Sequence, residues 1–276
     1  MKVYRSNRVE ALADGLGEVL REPSGGPTEP ETVMVHSRGM ARWLSMHLAQ
    51  RLGICANVRF PFPARLMHEL LAAILGDEDV STEAWRRERL LWAILRVLPD
   101  QLADPAFEPL AAYLARWRTA PATPGIVGRK RFELAQRIAD VFDRYVAYRP
   151  DMVLRWGRGE PPIGDDDDEA ADWQPRLWRA LAEHLAAPHL AQRAERYRDR
   201  LQEGLTPDRL EALPQRVCLF GISALPPFYL ELLGALSPHV DVHLFVLSPS
   251  REFWGHVRSR RERFCALASL GSDALT

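Results

Sequence analysis

The stretch "VMVHSRGMARWLSMHLAQRLG", Val33 to Gly53, decides the fold. It opens on an apolar, β-branched run of the kind found in strands buried on both faces of a sheet. A Ser-Arg-Gly turn follows. From Gly39 onward, Met40, Trp43, Leu44, Leu48 and Leu52 recur at helical spacing and form one buried stripe. A strand, a tight turn and a helix in immediate succession make half of a βαβ unit. Nucleotide-binding sites often open this way, so the chemistry of the turn matters. A phosphate-binding loop needs a glycine-rich turn, a lysine for the β/γ-phosphates and a hydroxyl for Mg²⁺. This turn offers Gly39 and no Gly-Lys-Ser/Thr.

Outward from this unit, the segments 2–6, 32–37 and 56–60 read as strands, followed by helices near 7–21, 39–52 and 63–76. At the far end, 216–223 and 240–248 read as strands around a helix at 227–236. The alternation predicts an α/β fold with a parallel sheet and right-handed crossovers. Between 77 and 206 the strand signal gives way to Trp- and Leu-bearing helices: "STEAWRRERLLWAILRVL", "FEPLAAYLARW", "RFELAQRIADVFDRYVAY", "QPRLWRALAEHL" and "LAQRAERYRDRL". Ser81 is placed to cap the first of them. The expected organisation is an α/β core from 1–76 plus 207–276, interrupted by a helical insertion at 77–206. Linkers rich in Pro, Gly and acid fall at 21–31, 119–125 and 157–169.

The 276 residues suffice for one large domain or two small ones, and the net charge of −1 argues against a wholly basic nucleic-acid binder. A localised basic groove is compatible with it, because the footprint depends on distribution. Lys2 and Lys130 are the only lysines, so basic contacts fall to arginine, which suits bidentate phosphate and base recognition. Cys55, Cys218 and Cys265 are widely spaced and odd in number, which favours reduced thiols, with Cys55 and Cys218 as small core residues. No stretch has the ~20 apolar residues of a membrane span and no leader pattern opens the chain, so a cytoplasmic location with no membrane contact is expected.

Catalytic signatures fail at several places. The first strand-turn-helix, "VYRSNRVEAL" (3–12), lacks glycines and lysine, and the late strand ends in Gly221-Ile222-Ser223 where Asp-Glu would hold Mg²⁺. The acid run Asp165 to Glu169 reads as a solvated loop, no HExxH or His/Cys grouping supports zinc, and no G-x-S-x-G elbow exists. Binding has more support. His36 closes the strand, and Arg38 and Arg42 lie one turn apart, off the buried stripe, at a helix N-terminus that favours anions. A merely solvated first turn is the competing reading. Gln136, Asp140 and Asp143 share a helix face opposite Ala135, Ile138, Ala139, Phe142, Tyr145 and Val146; taken alone, that face reads as solvated. "FPFP" (60–63) brings Phe60 and Phe62 to the sheet edge, where one could stack on a base, although both read more readily as core.

Together "VYRSNRVEAL", "VHSRGMARWLSMHLAQRLGICANVRFPFPA", "ADVFDRYVAYRPD", "DWQPRLWRAL" and "LFGISALPPFYLELLGALSPHVDVHLFVLSPSREFWG" resemble the N-terminal part of RecC, the gamma subunit of the heterotrimeric exodeoxyribonuclease V. The segments run in the family's order to about residue 255. The resemblance implies a superfamily 1 helicase-like domain without ATPase function, in a fragment or truncated product of a longer chain. The second helicase-like domain and the C-terminal nuclease-like domain would be missing. It implies a non-catalytic subunit that splits DNA forks, threads the 3′-ended single strand and scans it for the Chi signal. RecB and RecD would be its partners, and they would use ATP and Mg²⁺, with no cofactor in this chain. The family's Chi-reading positions fall on His36, Arg38, Arg42, Phe62, His68, Asp140, Val141, Asp143, Arg149 and Arg193. The best-known members have Gln, Thr and Gln where this chain has His36, Arg38 and Arg42, and Leu and Trp in place of Phe62 and His68. Amide-to-arginine changes alter the donor pattern offered to bases. An active AddB-type helicase-nuclease subunit and an unrelated α/β enzyme holding a small anion at the sheet edge are the alternatives.

Overall fold

A computed structural model describes residues 1–26, 28–76, 84–118, 126–160, 173–222, 224–248 and 250. Its sheet has five strands, all parallel: β1 (Lys2–Ser6), β2 (Glu31–Met34), β3 (Val58–Arg59), β4 (Arg216–Phe220) and β5 (Asp241–Leu247), ordered β1-β5-β4-β2-β3. Helices α1 (Val9–Arg21) and α2 (Arg38–Leu52) cover one face. Helices α3 (Pro63–Leu75) and α11 (Pro227–Leu236) cover the other. Handedness dictates this division. The crossovers β1-α1-β2 and β2-α2-β3 run across the sheet in one direction and β4-α11-β5 runs in the other, so right-handed connections put their helices on opposite faces.

Alternation along the strands fills both layers. Val33, Val35, Cys218, Phe220 and Phe245 pack under Leu12, Leu16, Leu44 and Leu48. Met34, Val217, Leu219 and Val242 pack against Leu66, Leu70, Ile74, Leu232 and Leu236. Along the stripe of α2, Leu44 and Leu48 are fully buried, while Met40, Trp43 and Leu52 are half-buried. At the amino edge, the buried Arg216 donates to the carbonyls of Val19 and Glu22, using the exposed carbonyls of the α1 C-terminus as acceptors.

Four strands are shorter than the sequence patterns predict, β5 by one residue at each end. β3 keeps two residues because Asn57 before it is left-handed (φ 59°) and Pro61 after it has no N–H to donate. β2 stops at Met34 and β4 at Phe220, where the chain leaves the ladder for the helical turns that follow. The expected strand at 2–6 and helix at 227–236 match β1 and α11 residue for residue.

The helical layer comprises α4 (Arg87–Gln101), α5 (Glu108–Arg118), α6 (Ile126–Tyr148), α7 (Pro150–Arg158), α8 (Trp173–Leu185), α9 (Leu190–Glu203) and the short α10 (Pro207–Glu211). Its core joins Leu90, Ile94, Phe107, Ala139, Phe142, Trp156, Leu177 and Trp178. Phe142 meets Trp178 edge-on at 5.4 Å, an arrangement aromatic rings prefer. α9 bridges the two cores: Ala191 belongs to the helical cluster, Ala194 and Tyr197 to the cluster under the sheet, and Tyr197 Oη donates to Leu232 O at 3.3 Å. α7 is an addition to the sequence reading. Pro150 opens it at the N1 position, where the lost N–H costs nothing, and left-handed Gly159 closes it. Ser81, the 119–125 linker, Asp165–Glu169, Ser223 and Cys265 lie outside the described residues.

Candidate nucleic-acid interface

Connections from the sheet's carboxyl edge leave β2 for one face through α2 and β4 for the other through α11, opening a crevice between neighbouring strands. Such switch points are where open α/β sheets hold ligands. Ser37 is extended (φ −150°, ψ 154°), and its Oγ accepts from Met40 N at 3.1 Å, capping α2. Arg38 then occupies the first helical position and Arg42 follows one turn later; His36, Arg38 and Arg42 are all exposed. The first turn of α2 has no acidic residue, and no ion pair to Arg38 or Arg42 occurs among the described residues. Cations at a helix N-terminus oppose the macrodipole, at a cost of ~0.3–1 kcal/mol each. Helix stability therefore does not account for them, whereas an anion in the crevice would meet both guanidiniums and the free N–H groups of the helix end. On the β4 side Gly221 (φ 62°) borders the crevice, and a Cβ there would lie 3.8 Å from the Met40 methyl.

Phe62 stands beside His36. Val35 N donates to Pro61 O at 3.1 Å, so the two residues follow directly from a paired backbone step. Phe60 packs into the core, but Phe62 is 39% exposed as the cap residue of α3, which corrects the reading of both rings as core. The physical reason is that β3 ends at Arg59, so strand alternation, which would set residues 60 and 62 on one face, no longer holds where Phe62 turns out as the cap of α3.

His68, on the second turn of α3, meets Arg193 from α9: Arg193 Nη1 lies 3.0 Å from His68 Nδ1. Guanidinium only donates, so Nδ1 accepts and the imidazole proton sits on Nε2. Arg193 is 1% exposed, the one fully buried side chain among the carried-over positions.

The remaining positions lie on α6 and its corner with α7. Asp140 accepts from Arg87 Nη1 at 2.7 Å across the α4–α6 interface. Asp143 is solvent-exposed, which moderates any shift, but the atoms packed around its carboxyl raise its pKa; Arg87 opposes the rise, and Asp140 and Glu88 add to it. Val141 is 37% exposed. Arg149 is exposed as the single residue between α6 and α7, and its N–H is tied to Tyr145 O at 2.8 Å. Tyr229, in the first turn of α11, has its pKa raised by burial, then by Asp143 and Tyr148, which puts the end of α6 beside the helix that leaves β4.

The candidates thus form three groups flanking one sheet edge: His36, Arg38, Arg42 and Phe62; His68 with Arg193; and Asp140, Val141, Asp143 and Arg149. Two further residues belong to the third group, Arg87 as the partner of Asp140 and Tyr148, 61% exposed. Arg87 pairs across 53 residues of sequence, so no local pattern announces it. The β1–α1 connection has only Asn7 and Arg8 and no left-handed residue, so it forms no nest of N–H groups for phosphate. Among the described residues no three His, Cys, Asp or Glu gather in a metal-binding group, and no helix is long and apolar enough to cross a membrane.

Fold and site together define a parallel-sheet α/β protein with a large helical insertion, whose carboxyl edge presents arginine and aromatic side chains in place of a phosphate loop. A family model described as RecC, N-terminal domain, matches residues 1–269. The RecBCD enzyme subunit RecC of Escherichia coli (strain K12) is 37% identical over 265 residues, covering 94% of this chain and 22% of that relative. Its counterpart in Mycolicibacterium smegmatis is 35% identical over 263 residues, covering 95% and 22%. That of Haemophilus influenzae is 31% identical over 281 residues, covering 94% and 24%. The chain belongs to the RecC N-terminal domain family. It spans 22–24% of the length of these curated relatives.

Proposed function

We propose that this chain is the N-terminal, helicase-like part of a RecBCD subunit in recombinational double-strand break repair. It would hold the 3′-ended single strand and contribute to Chi recognition, without hydrolysing ATP. ATP and Mg²⁺ chemistry would belong to the RecB and RecD partners. The observation that carries this reading is the pair of uncompensated arginines, Arg38 and Arg42, at the switch-point crevice beside exposed Phe62. Phosphate or base edges suit the guanidiniums and a base suits the ring. The two-residue β1–α1 connection supports an inactive nucleotide site.

In the full-length subunit assembled with its partners, Arg38→Ala and Arg42→Ala should change Chi-dependent product lengths more than unwinding rate. Unchanged products in both variants would remove base reading from this crevice. Arg149→Ala should lower the salt slope of single-strand binding by about one phosphate's worth. ATP hydrolysis by this chain alone would refute the reading, and tighter binding of inorganic phosphate than of an oligonucleotide would favour the small-anion alternative.

A further inference from the structure

Outside the crevice, the least explained feature is Trp92, which is 65% exposed and meets Phe132, itself 40% exposed, at 6.1 Å and 64°. Neither ring serves the core, because α4 buries Leu90, Ile94, Val97 and Leu98 on its other side. A tryptophan this exposed is uncommon. We propose that Trp92 and Phe132 form a stacking platform for single-stranded DNA on the outer face of α4 and α6, continuing the track that begins at Asp140 and Asp143. The proposal rests on the reading of α6 as a DNA-facing helix.

Register supports a continuous track. On α6, Phe132, Gln136, Asp140 and Asp143 fall at i, i+4, i+8 and i+11, a single helix face. α4 runs antiparallel alongside, so Arg87 meets Asp140 and, further along, Trp92 meets Phe132. Eight residues separate Phe132 from Asp140, a rise of ~12 Å, or about three to four nucleotides at the stacked spacing of ~3.4 Å. Exposed Gln136 lies between them, an amide that can serve as donor or acceptor to a base edge.

Charge around the platform fits a polyanion. Arg89 and Arg96 stand one turn either side of Trp92 on the same stripe of α4, and Arg129 stands one turn before Phe132. The acidic groups nearby are Glu88 and Asp100 on α4 and Glu133, Asp140 and Asp143 on α6; Glu133 is bound by Lys130 at 2.7 Å and Arg129 at 3.1 Å, and Asp140 by Arg87 at 2.7 Å. Stacking is indifferent to base identity because every base has a π-face, so the platform would guide the strand without adding sequence preference.

The test uses anisotropy of a fluorescent oligo(dT) with the full chain. Trp92→Ala should weaken binding about tenfold with the salt slope unchanged, and Trp92→Phe should restore most of it. Arg149→Ala separates this proposal from the underlying one. Wild-type affinity in Trp92→Ala with reduced affinity in Arg149→Ala overturns the platform alone, whereas wild-type affinity in both, or no oligo(dT) binding by the unaltered chain, overturns both. Photo-cross-linking of an iododeoxyuridine strand to the unaltered chain should label the Trp92 or Phe132 peptide, and labelling elsewhere only overturns the platform. Full oligo(dT) binding by Trp92→Ala with loss of assembly would make the patch a protein contact and would also overturn it.

Discussion

His189 ties acid stability to the helical layer. It is the cap residue of α9, 1% exposed, with its ring edge-on to Trp85 at 5.4 Å and Trp178 at 5.1 Å, and Nδ1 accepting from Gln192 N. Burial favours the neutral ring and pushes its pKa down from 6.5 to about 4. Between those values the unfolded chain binds a proton that the folded chain refuses. The stability from a neutral His189 is therefore complete above pH 6.5 and is lost as pH falls toward 4. Integrating between pH 7.5 and 5 gives about 2 kcal/mol, approaching ~3 kcal/mol at lower pH. Asn at 189 keeps an acceptor for the cap and removes the titration. Urea unfolding followed by tryptophan fluorescence should therefore show wild type losing about 2 kcal/mol more than His189→Asn from pH 7.5 to 5. Carboxylates held low by their partners, such as Asp241 hydrogen-bonded to His243 and Lys2, also lose stability in acid but cancel in the comparison. A stability difference that stays constant with pH would refute the assignment of a buried, neutral ring.

Arg193→Ala should cost about 1–3 kcal/mol, because it leaves the His68 Nδ1 acceptor without its donor and removes a packed stem; differential scanning fluorimetry should show a lower midpoint. Arg38→Ala and Arg42→Ala should melt at or slightly above the wild-type midpoint, and a wild-type midpoint for Arg193→Ala would instead make it a surface contact. Burial pushes the Cys218 thiol up to about 12, so alkylation mapped by peptide mass should spare it in the native chain and label it in urea; native labelling would contradict the packed layer under α1 and α2.

Much of the core was legible locally. The apolar runs of β4 and β5, the 3.6-residue stripes of α2 and α6, and Pro227 opening α11 are each set by burial or backbone chemistry within a few residues. The insertion read less fully: α7 was absent because Arg149-Pro150 looks like an end, and only packing of Val153, Leu154 and Trp156 makes it a beginning. At the site, exposure of Arg38 and Arg42 followed from helix phase. Burial of Arg193 did not, because a charged side chain goes inside only when another element brings it a partner.

By itself, the sequence determined a parallel α/β core with a helical insertion and a strand-turn-helix lacking phosphate chemistry. Those features depend on side-chain periodicity and on which residues a turn contains, both local properties. Tertiary structure decided the β1-β5-β4-β2-β3 order, the placement of β4 beside β2, and the meeting of His68 with Arg193, Arg87 with Asp140, and Trp92 with Phe132. These arise where handed crossovers bring distant segments together, and no spacing within a segment encodes them.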